Sequence, residues 1–295
     1  MSFKRLRGSG FSYIELLIFL TTLSLLIILG FYIKNKEHIS QNVKNNSSTS
    51  STLTKNSIIP NAKRYWIMST TALNELISYP SVRNDLSNDT IFVPTKKSEQ
   101  LSSTTNGLHI VPVESFTSEP QLANAINSKS INSSIKVLLY DNEDWPLTPV
   151  NEQQNLLTYY QKAASLAHKN GYLLIGTPVS KLDPQADVQI APYVDVLDIQ
   201  SQYDQSSSIT YAGHVLPIAK TARKANPNLI ILSGLSTNPP SGIPTARQLV
   251  NDAQAVSSIV QGYWLNIPSP GVACPRCNLP QPQIGVQFLR ILGAN

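Results

Sequence analysis

The sequence predicts an α/β fold, a (β/α)8 TIM-barrel-like head carried behind an N-terminal transmembrane helix. Three observations predict it. From residue 62 onward, short apolar runs of about four to eight residues alternate with helical stretches, which is the rhythm of parallel βαβ units. The region 62–295 exceeds a usual small domain but suits a barrel of about 250 residues built on one core. Neither G-x-G-x-x-G nor G-x-x-x-x-G-K-S/T follows any apolar run, so a closed barrel outranks an open doubly wound sheet and nucleotide cofactors have no support.

The chain divides into a leader (1–10), a membrane helix (11–36), a flexible linker (37–61) and the barrel (62–295). Lys4, Arg5 and Arg7 resist translocation, and the apolar run Phe11 to Ile33 is long enough to cross about 30 Å of hydrocarbon at roughly 1.5 Å per residue. Glu15 interrupts that run. An ionisable side chain in a membrane helix is costly, so its placement needs a reason. An uncleaved signal anchor would need only the basic flank and the span. An ordinary secretory signal would have a shorter apolar region ending in small residues.

The stretch Gly10-Phe11-Ser12-Tyr13-Ile14-Glu15-Leu16-Leu17 behind this basic leader resembles the type IV prepilin signal. The resemblance covers about the first thirty-five residues. It implies cleavage between Gly10 and Phe11 by a prepilin peptidase and methylation of the new amino terminus. It also implies that Glu15 meets the amino group of a neighbouring pilin-like subunit, which would offset the burial of both charges. The expected location is therefore the cell membrane, single-pass, with the C-terminal domain extracytoplasmic.

Beyond the apolar run the chain departs from a pilin. Gln41 to Asn61 is rich in Ser, Asn and Thr, which favour local backbone bonding over helix, and holds too few apolar residues to offset its ordering entropy. Net charge is +5, and losing the three basic residues of the leader leaves +2. With no Lys/Arg stripe in the head, nucleic-acid binding is not expected.

In the head, Tyr65-Trp66-Ile67-Met68 reads as the first strand, followed by a helix through Leu73 and Ile77. Ile91-Phe92-Val93 either supplies an eighth strand or leaves one pair irregular. Leu108 to Val113 precedes a helix around Leu122 to Ile126, and Ile135 to Tyr140 precedes one from Asn151 to Lys169. Tyr172 to Ile175, Val194 to Ile199, Leu229 to Leu232 and Tyr263 to Ile267 are the remaining strands. Helices are expected at Tyr211 to Ala225, Thr245 to Val260 and Gln283 to Leu292.

Barrel chemistry belongs at the carboxyl ends of strands, and there the chain is polar. After Leu139-Tyr140 come Asp141, Glu143 and Trp145, and the two-residue period puts Asp141 and Glu143 on one face. Paired acids suit glycosidic chemistry, and an indole can stack on a pyranose. Carboxyl groups working across a glycosidic bond normally come from different strands, so Asp198 is the candidate partner acid. Tyr140, Gln200, Gln202, Asn238 and Asn266 are candidate substrate-binding residues, because hydroxyls and amides bind sugar hydroxyls without moving protons. The competing reading for Asp141 and Glu143 is loop capping, with Trp145-Pro146 packed over the barrel. The Tyr-Asp-x-Glu-x-Trp strand end resembles barrel domains of glycoside-hydrolase type, over roughly Ala62 to Leu292. Its D-x-E has fewer carboxylates than the acidic motif of chitinase-type barrels. The resemblance implies a glycan as ligand.

Cys274-Pro275-Arg276-Cys277 admits three readings. Zinc would need ligands borrowed from His109, His168 or His214, none at metal-ligand spacing. A redox pair should open a helix after the first strand of a βαβ unit. A small disulfide in an oxidising compartment needs neither context, and is the expectation. No metal or other cofactor is expected. No G-x-S-x-G elbow supports a serine hydrolase. The sequence thus points first to a membrane-anchored, surface-exposed pilin-like protein whose barrel binds glycan. Its alternative is a glycoside hydrolase with Glu143 as general acid/base and Asp141 or Asp198 as partner.

Overall fold

The computed structural model describes residues 55–95, 105–179, 182–239, 242–271 and 278–294. Gly10, Phe11, Glu15, the expected membrane helix, most of the linker, and Cys274 and Cys277 lie outside the described residues. Among the described residues no helix is long and apolar enough to cross a membrane.

Eight strands form a closed barrel in chain order: β1 (Tyr65–Ile67), β2 (Thr90–Pro94), β3 (His109–Phe116), β4 (Val137–Tyr140), β5 (Leu173–Gly176), β6 (Val196–Ile199), β7 (Ile230–Ser236) and β8 (Gly262–Asn266). Every pairing is parallel, and β8 closes on β1. The fold is a (β/α)8 barrel. Ile91-Phe92-Val93 does supply the eighth strand, registered between Trp66 of β1 and Ile110 of β3. Closure demands a glycine at Gly262, where an added Cβ would stand 1.8 Å from the Tyr65 carbonyl oxygen.

The helices are α1 (Lys55–Ile58), α2 (Thr70–Ile77), α3 (Pro80–Asp85), α4 (Glu119–Asn127), α5 (Val150–Gln153), α6 (Leu156–Lys169), α7 (Ala186–Ile190), α8 (Ser208–Ala225), α9 (Ala246–Val256) and α10 (Pro282–Gly293). Ser69, Ser118, Ser207 and Thr245 cap four of them, each side chain accepting from the amide three residues on. In α9, Ala246, Leu249, Val250, Ala253 and Val256 form the buried stripe that a period of 3.6 residues produces. The expected helix from Asn151 to Lys169 is broken into α5 and α6 at Asn155, whose backbone leaves the helical region. The short α7 carries no readable periodicity in sequence.

Alternation along the strands builds two apolar layers. Ile67, Phe92, Val113, Leu139, Ile175, Val196 and Leu232 fill the barrel, while Trp66, Ile91, Leu138, Leu174, Leu197, Ile231 and Leu265 face the helices. The barrel also begins before Ala62, inside the segment whose composition reads as linker. Ile59 is 2% exposed and belongs to the inner layer, and Lys55 Nζ donates to the carbonyls of Asp195 (2.6 Å) and Asn228 (2.7 Å). Ile58 and Ile59 pack the segment against the inner layer, and Lys55 pins it. Burial lowers the Lys55 pKa to about 8.

Candidate active site

The inward parity of each strand continues past its end. On β4 it runs Val137, Leu139, Asp141, Glu143; on β5, Leu173, Ile175, Thr177; on β6, Val196, Asp198, Gln200. These residues meet at the carboxyl end of the barrel. Thr177 Oγ1 donates to Asp141 Oδ1 at 2.8 Å, and Gln200 Nε2 donates to Glu143 Oε1 at 3.0 Å and to the Thr177 carbonyl at 3.1 Å. The Asp141 and Glu143 carboxyl groups are close enough to act on each other electrostatically.

Burial, and then the charge of Glu143, push the Asp141 pKa well above the usual carboxylate range. Burial also raises Glu143, against the hydrogen bond from Gln200. Two carboxyl groups that interact in a partly dehydrated site titrate as a pair. Asp141 is buried at 8% exposure, while Glu143 is partly exposed. Glu143 is therefore the member of the pair open to the barrel mouth.

The loop carrying them is clamped from behind. Thr148 Oγ1 accepts from the Glu143 amide (3.3 Å) and from Trp145 Nε1 (2.8 Å), and Gln153 Nε2 donates to the carbonyls of Trp145 (2.9 Å) and Thr148 (3.0 Å). The Trp145 indole N–H is thereby engaged, and its partly buried ring packs the loop. This matches the loop-packing alternative for that residue more closely than a sugar-stacking role.

Three other expectations are corrected. Tyr140 has outward parity: it is fully buried among the helices, donates its hydroxyl to Glu152, accepts from Asn142 Nδ2 at 2.9 Å, and packs its ring 4.6 Å from that of Tyr160. It anchors β4 and does not face the mouth. Glu152, in turn, accepts the Glu119 amide at 2.9 Å at the start of α4. Asn238 is fully buried, its Nδ2 donating to the carbonyls of Pro268 (2.8 Å), Asn278 (2.8 Å) and Leu279 (3.2 Å); it ties the loop after β7 to the loop after β8. Asp198 is still inside its strand, registered with Leu232, and is wholly buried with no hydrogen-bond partner on either carboxylate oxygen. Burial, then the charges of Asp187 and Glu143, hold its pKa well above normal, and its depth beneath the site makes it no partner across a substrate bond.

Gln200 and Gln202 do reach the mouth. The Gln202 carboxamide lies directly over Gly234, where an added Cβ would stand 2.5 Å from it. Asn266 is partly exposed at the end of β8, on the same face as Trp264. Trp264 is a further member of the mouth that strand-end position alone does not reveal. It has inward parity, is partly exposed, and packs on the inner layer in register with Gly234. Its signal in sequence is parity counted back from Asn266. Thr177 has no such signal, because a threonine after Gly176 means nothing without its neighbour on β4.

His168 Nε2 lies 2.8 Å from Asp195 Oδ2, and His214 Nδ1 lies 3.3 Å from Asp204 Oδ2. His109 opens β3 and is exposed. Among the described residues no group of three or more His, Cys, Asp or Glu side chains is placed to hold a metal ion.

No family model matches the sequence, and no curated protein matches it. Solved structures share its fold at low identity. A family 18 chitinase from Crocus vernus is 10% identical over 76% of this chain and 95% of its own, with a TM-score of 0.47. The spore cortex-lytic enzyme SleL of Bacillus megaterium is 9% identical over 80% and 75%, with a TM-score of 0.47. The carboxyl transferase domain of Rhizobium etli pyruvate carboxylase is 8% identical over 80% of this chain and 48% of its own, with a TM-score of 0.44. This chain thus spans about half of that last protein, and likenesses at this level extend to the barrel alone.

Proposed function

We propose that the barrel is a glycoside hydrolase in which Glu143 is the general acid/base. The observation that carries this reading is the Asp141–Glu143 pair: two neighbouring carboxyl groups with raised pKa values, the outer one open to the mouth beside Gln200. Such a pair holds a proton to higher pH than a free carboxylate and can deliver it from Glu143 to the leaving oxygen of a glycosidic bond. Trp264 offers an indole face, and Gln202 and Asn266 offer amides to sugar hydroxyls.

The usual two-carboxylate arrangement needs a second open acid roughly 5 to 9.5 Å away. Asp141 neighbours Glu143 and is buried, as are Asp198 and Asp187. We infer that the displacing group comes from the substrate, which favours sugars bearing a 2-acetamido group. Its carbonyl oxygen attacks the anomeric carbon as the glycosidic C–O bond breaks and the leaving oxygen takes the proton of Glu143. Water then opens the cyclic intermediate and returns a proton to Glu143. Asp141, buried beside Glu143, acts on the substrate only through its effect on the Glu143 proton.

Glu143→Gln tests this. Turnover on N-acetylated glycans should fall about 10²- to 10⁴-fold with binding retained. Equal turnover by the variant would remove Glu143 from the mechanism. The prepilin-like start of the chain adds a proposal about location: the barrel is displayed outside the cell on a single membrane helix. A mature amino terminus other than Phe11 would overturn the cleavage it rests on.

A further inference from the structure

Where the chain enters the strands, at the end of the barrel opposite the mouth, the exposed charges among the described residues are all basic. Lys63 precedes β1, Lys129 and Lys136 precede β4, Lys169 and Lys224 lie at the ends of the helices leading to β5 and β7, and Arg290 lies in the last turn of α10; all six are exposed. No acid at this end is exposed with them. Asp89 is buried, and Asp85 and Asp195 are partly buried. The exposed Glu75 stands on α2, with the whole of α3 between it and β2. The ion pairs among the described residues are His168–Asp195 and His214–Asp204, so none of the six is neutralised in one. Outside the described residues, the connection from β2 to β3 carries Lys96, Lys97 and Glu99, a composition that leaves the sign unchanged.

These residues share one end because all eight strands are parallel and their entries are bonded to one another. The Lys63 amide donates to the Asn88 carbonyl, Tyr65 to Gln261, Leu173 to Lys136 and Ile230 to Asp195. Basic residues in a last helical turn complement the helix dipole, which accounts for Lys169, Lys224 and Arg290 but not for Lys63, Lys129 and Lys136. Spread thinly over separate connections, the cations form no run in the sequence. Closure of the barrel gathers them.

A face of exposed cations attracts a polyanion. No Tyr, Trp or Phe is exposed at this end, so nucleic-acid bases have no stacking platform there. The described chain also begins here, with Lys55 bonded to the carbonyls of Asp195 and Asn228. Residues 37–54 separate it from the expected membrane helix. Fully extended, that segment spans at most about 65 Å, so a bilayer holding the helix lies within reach of the basic end. Anionic headgroups attract Lys and Arg side chains held within a Debye length of them.

We propose that the strand-entry end of the barrel docks on anionic lipid headgroups, so that the mouth carrying Glu143 opens away from the membrane. The inference rests on the membrane-helix reading of the start of the chain, and adds to it a contact surface and an orientation.

The test reconstitutes the full chain in nanodiscs of phosphatidylcholine alone or with about 30% phosphatidylglycerol. A water-soluble acetylating reagent labels exposed amines, and mass spectrometry reads each lysine. Lys162, exposed on α6 and close enough to Glu119 at the mouth-side start of α4 to act on its charge, is the control. Phosphatidylglycerol should lower labelling of Lys63, Lys136, Lys169 and Lys224 about threefold or more relative to Lys162, and about 0.5 M salt should restore it. Unchanged labelling, or equal protection of Lys162, would overturn the proposal. Protection by duplex DNA with none by phosphatidylglycerol would overturn it too, assigning the face to a nucleic acid. Failure to enter discs of phosphatidylcholine alone removes the anchor, and the same labelling then reads binding of the free chain to the anionic discs.

Discussion

Thr177 Oγ1 donates a 2.8 Å hydrogen bond to Asp141 Oδ1, tying the end of β5 to the end of β4 beneath Glu143. This bond favours the ionised form of Asp141 and partly offsets the effect of burial. Thr177→Val keeps the shape and removes the donor. Asp141 should then hold its proton to higher pH, moving the alkaline limb of the pH–rate profile upward. An unmoved limb would show that the pair does not govern that limb. The buried acceptor left without its partner should also cost about 1 to 3 kcal/mol of stability, read by denaturant titration.

Asp187 is buried on α7 with neither carboxylate oxygen hydrogen-bonded to a partner, and burial pushes its pKa to about 7. The pH dependence has a definite sign, set by proton binding. Below about pH 4 the group is protonated in both the folded and unfolded chain and contributes nothing. Between about 4 and 7 the unfolded chain ionises while the folded one does not, so stability falls as pH rises. Asp187→Asn should leave the melting temperature unchanged near pH 4 and raise it near pH 8, by an amount equivalent to at most about 4 kcal/mol. Equal effects at both pH values would mean that the carboxyl is not the source of the strain.

Asn238 distinguishes a latch from a ligand contact. Asn238→Ala removes the side-chain donor shared by the carbonyls of Pro268, Asn278 and Leu279. The expected outcome is a loss of about 1 to 3 kcal/mol in thermal or chemical denaturation. A variant of full stability but weakened glycan binding would restore to Asn238 the ligand-binding role that its position in sequence suggests.

Much of the barrel is legible from local pattern. Each strand is a short apolar run, and each long helix carries its own stripe. β2 is ambiguous in sequence because no helical signal separates it from β3, and pairing on both sides makes it a strand. Within the site, Asp141, Glu143, Gln200 and Gln202 follow from strand-end position, while Tyr140 and Asn238 look equally polar in sequence yet lie buried in supporting networks. Asp198 shows why. Parity gives its direction into the barrel correctly, but not its depth.

The sequence by itself determined the order of strands and helices and which residues on each strand share a face, because those follow from periods of about 2 and 3.6 residues within one segment. The tertiary structure alone decided what meets at the mouth. Depth along the barrel depends on the stagger between neighbouring strands, a property of closure that no single segment contains. That stagger registers Asp198 with Leu232 inside the apolar layer, sets Trp264 beside Gly234, and brings Thr177 beneath Asp141. The pairing of Asp141 with Glu143 is local, but the burial and the Thr177 and Gln200 hydrogen bonds that tune its proton are products of the closed barrel.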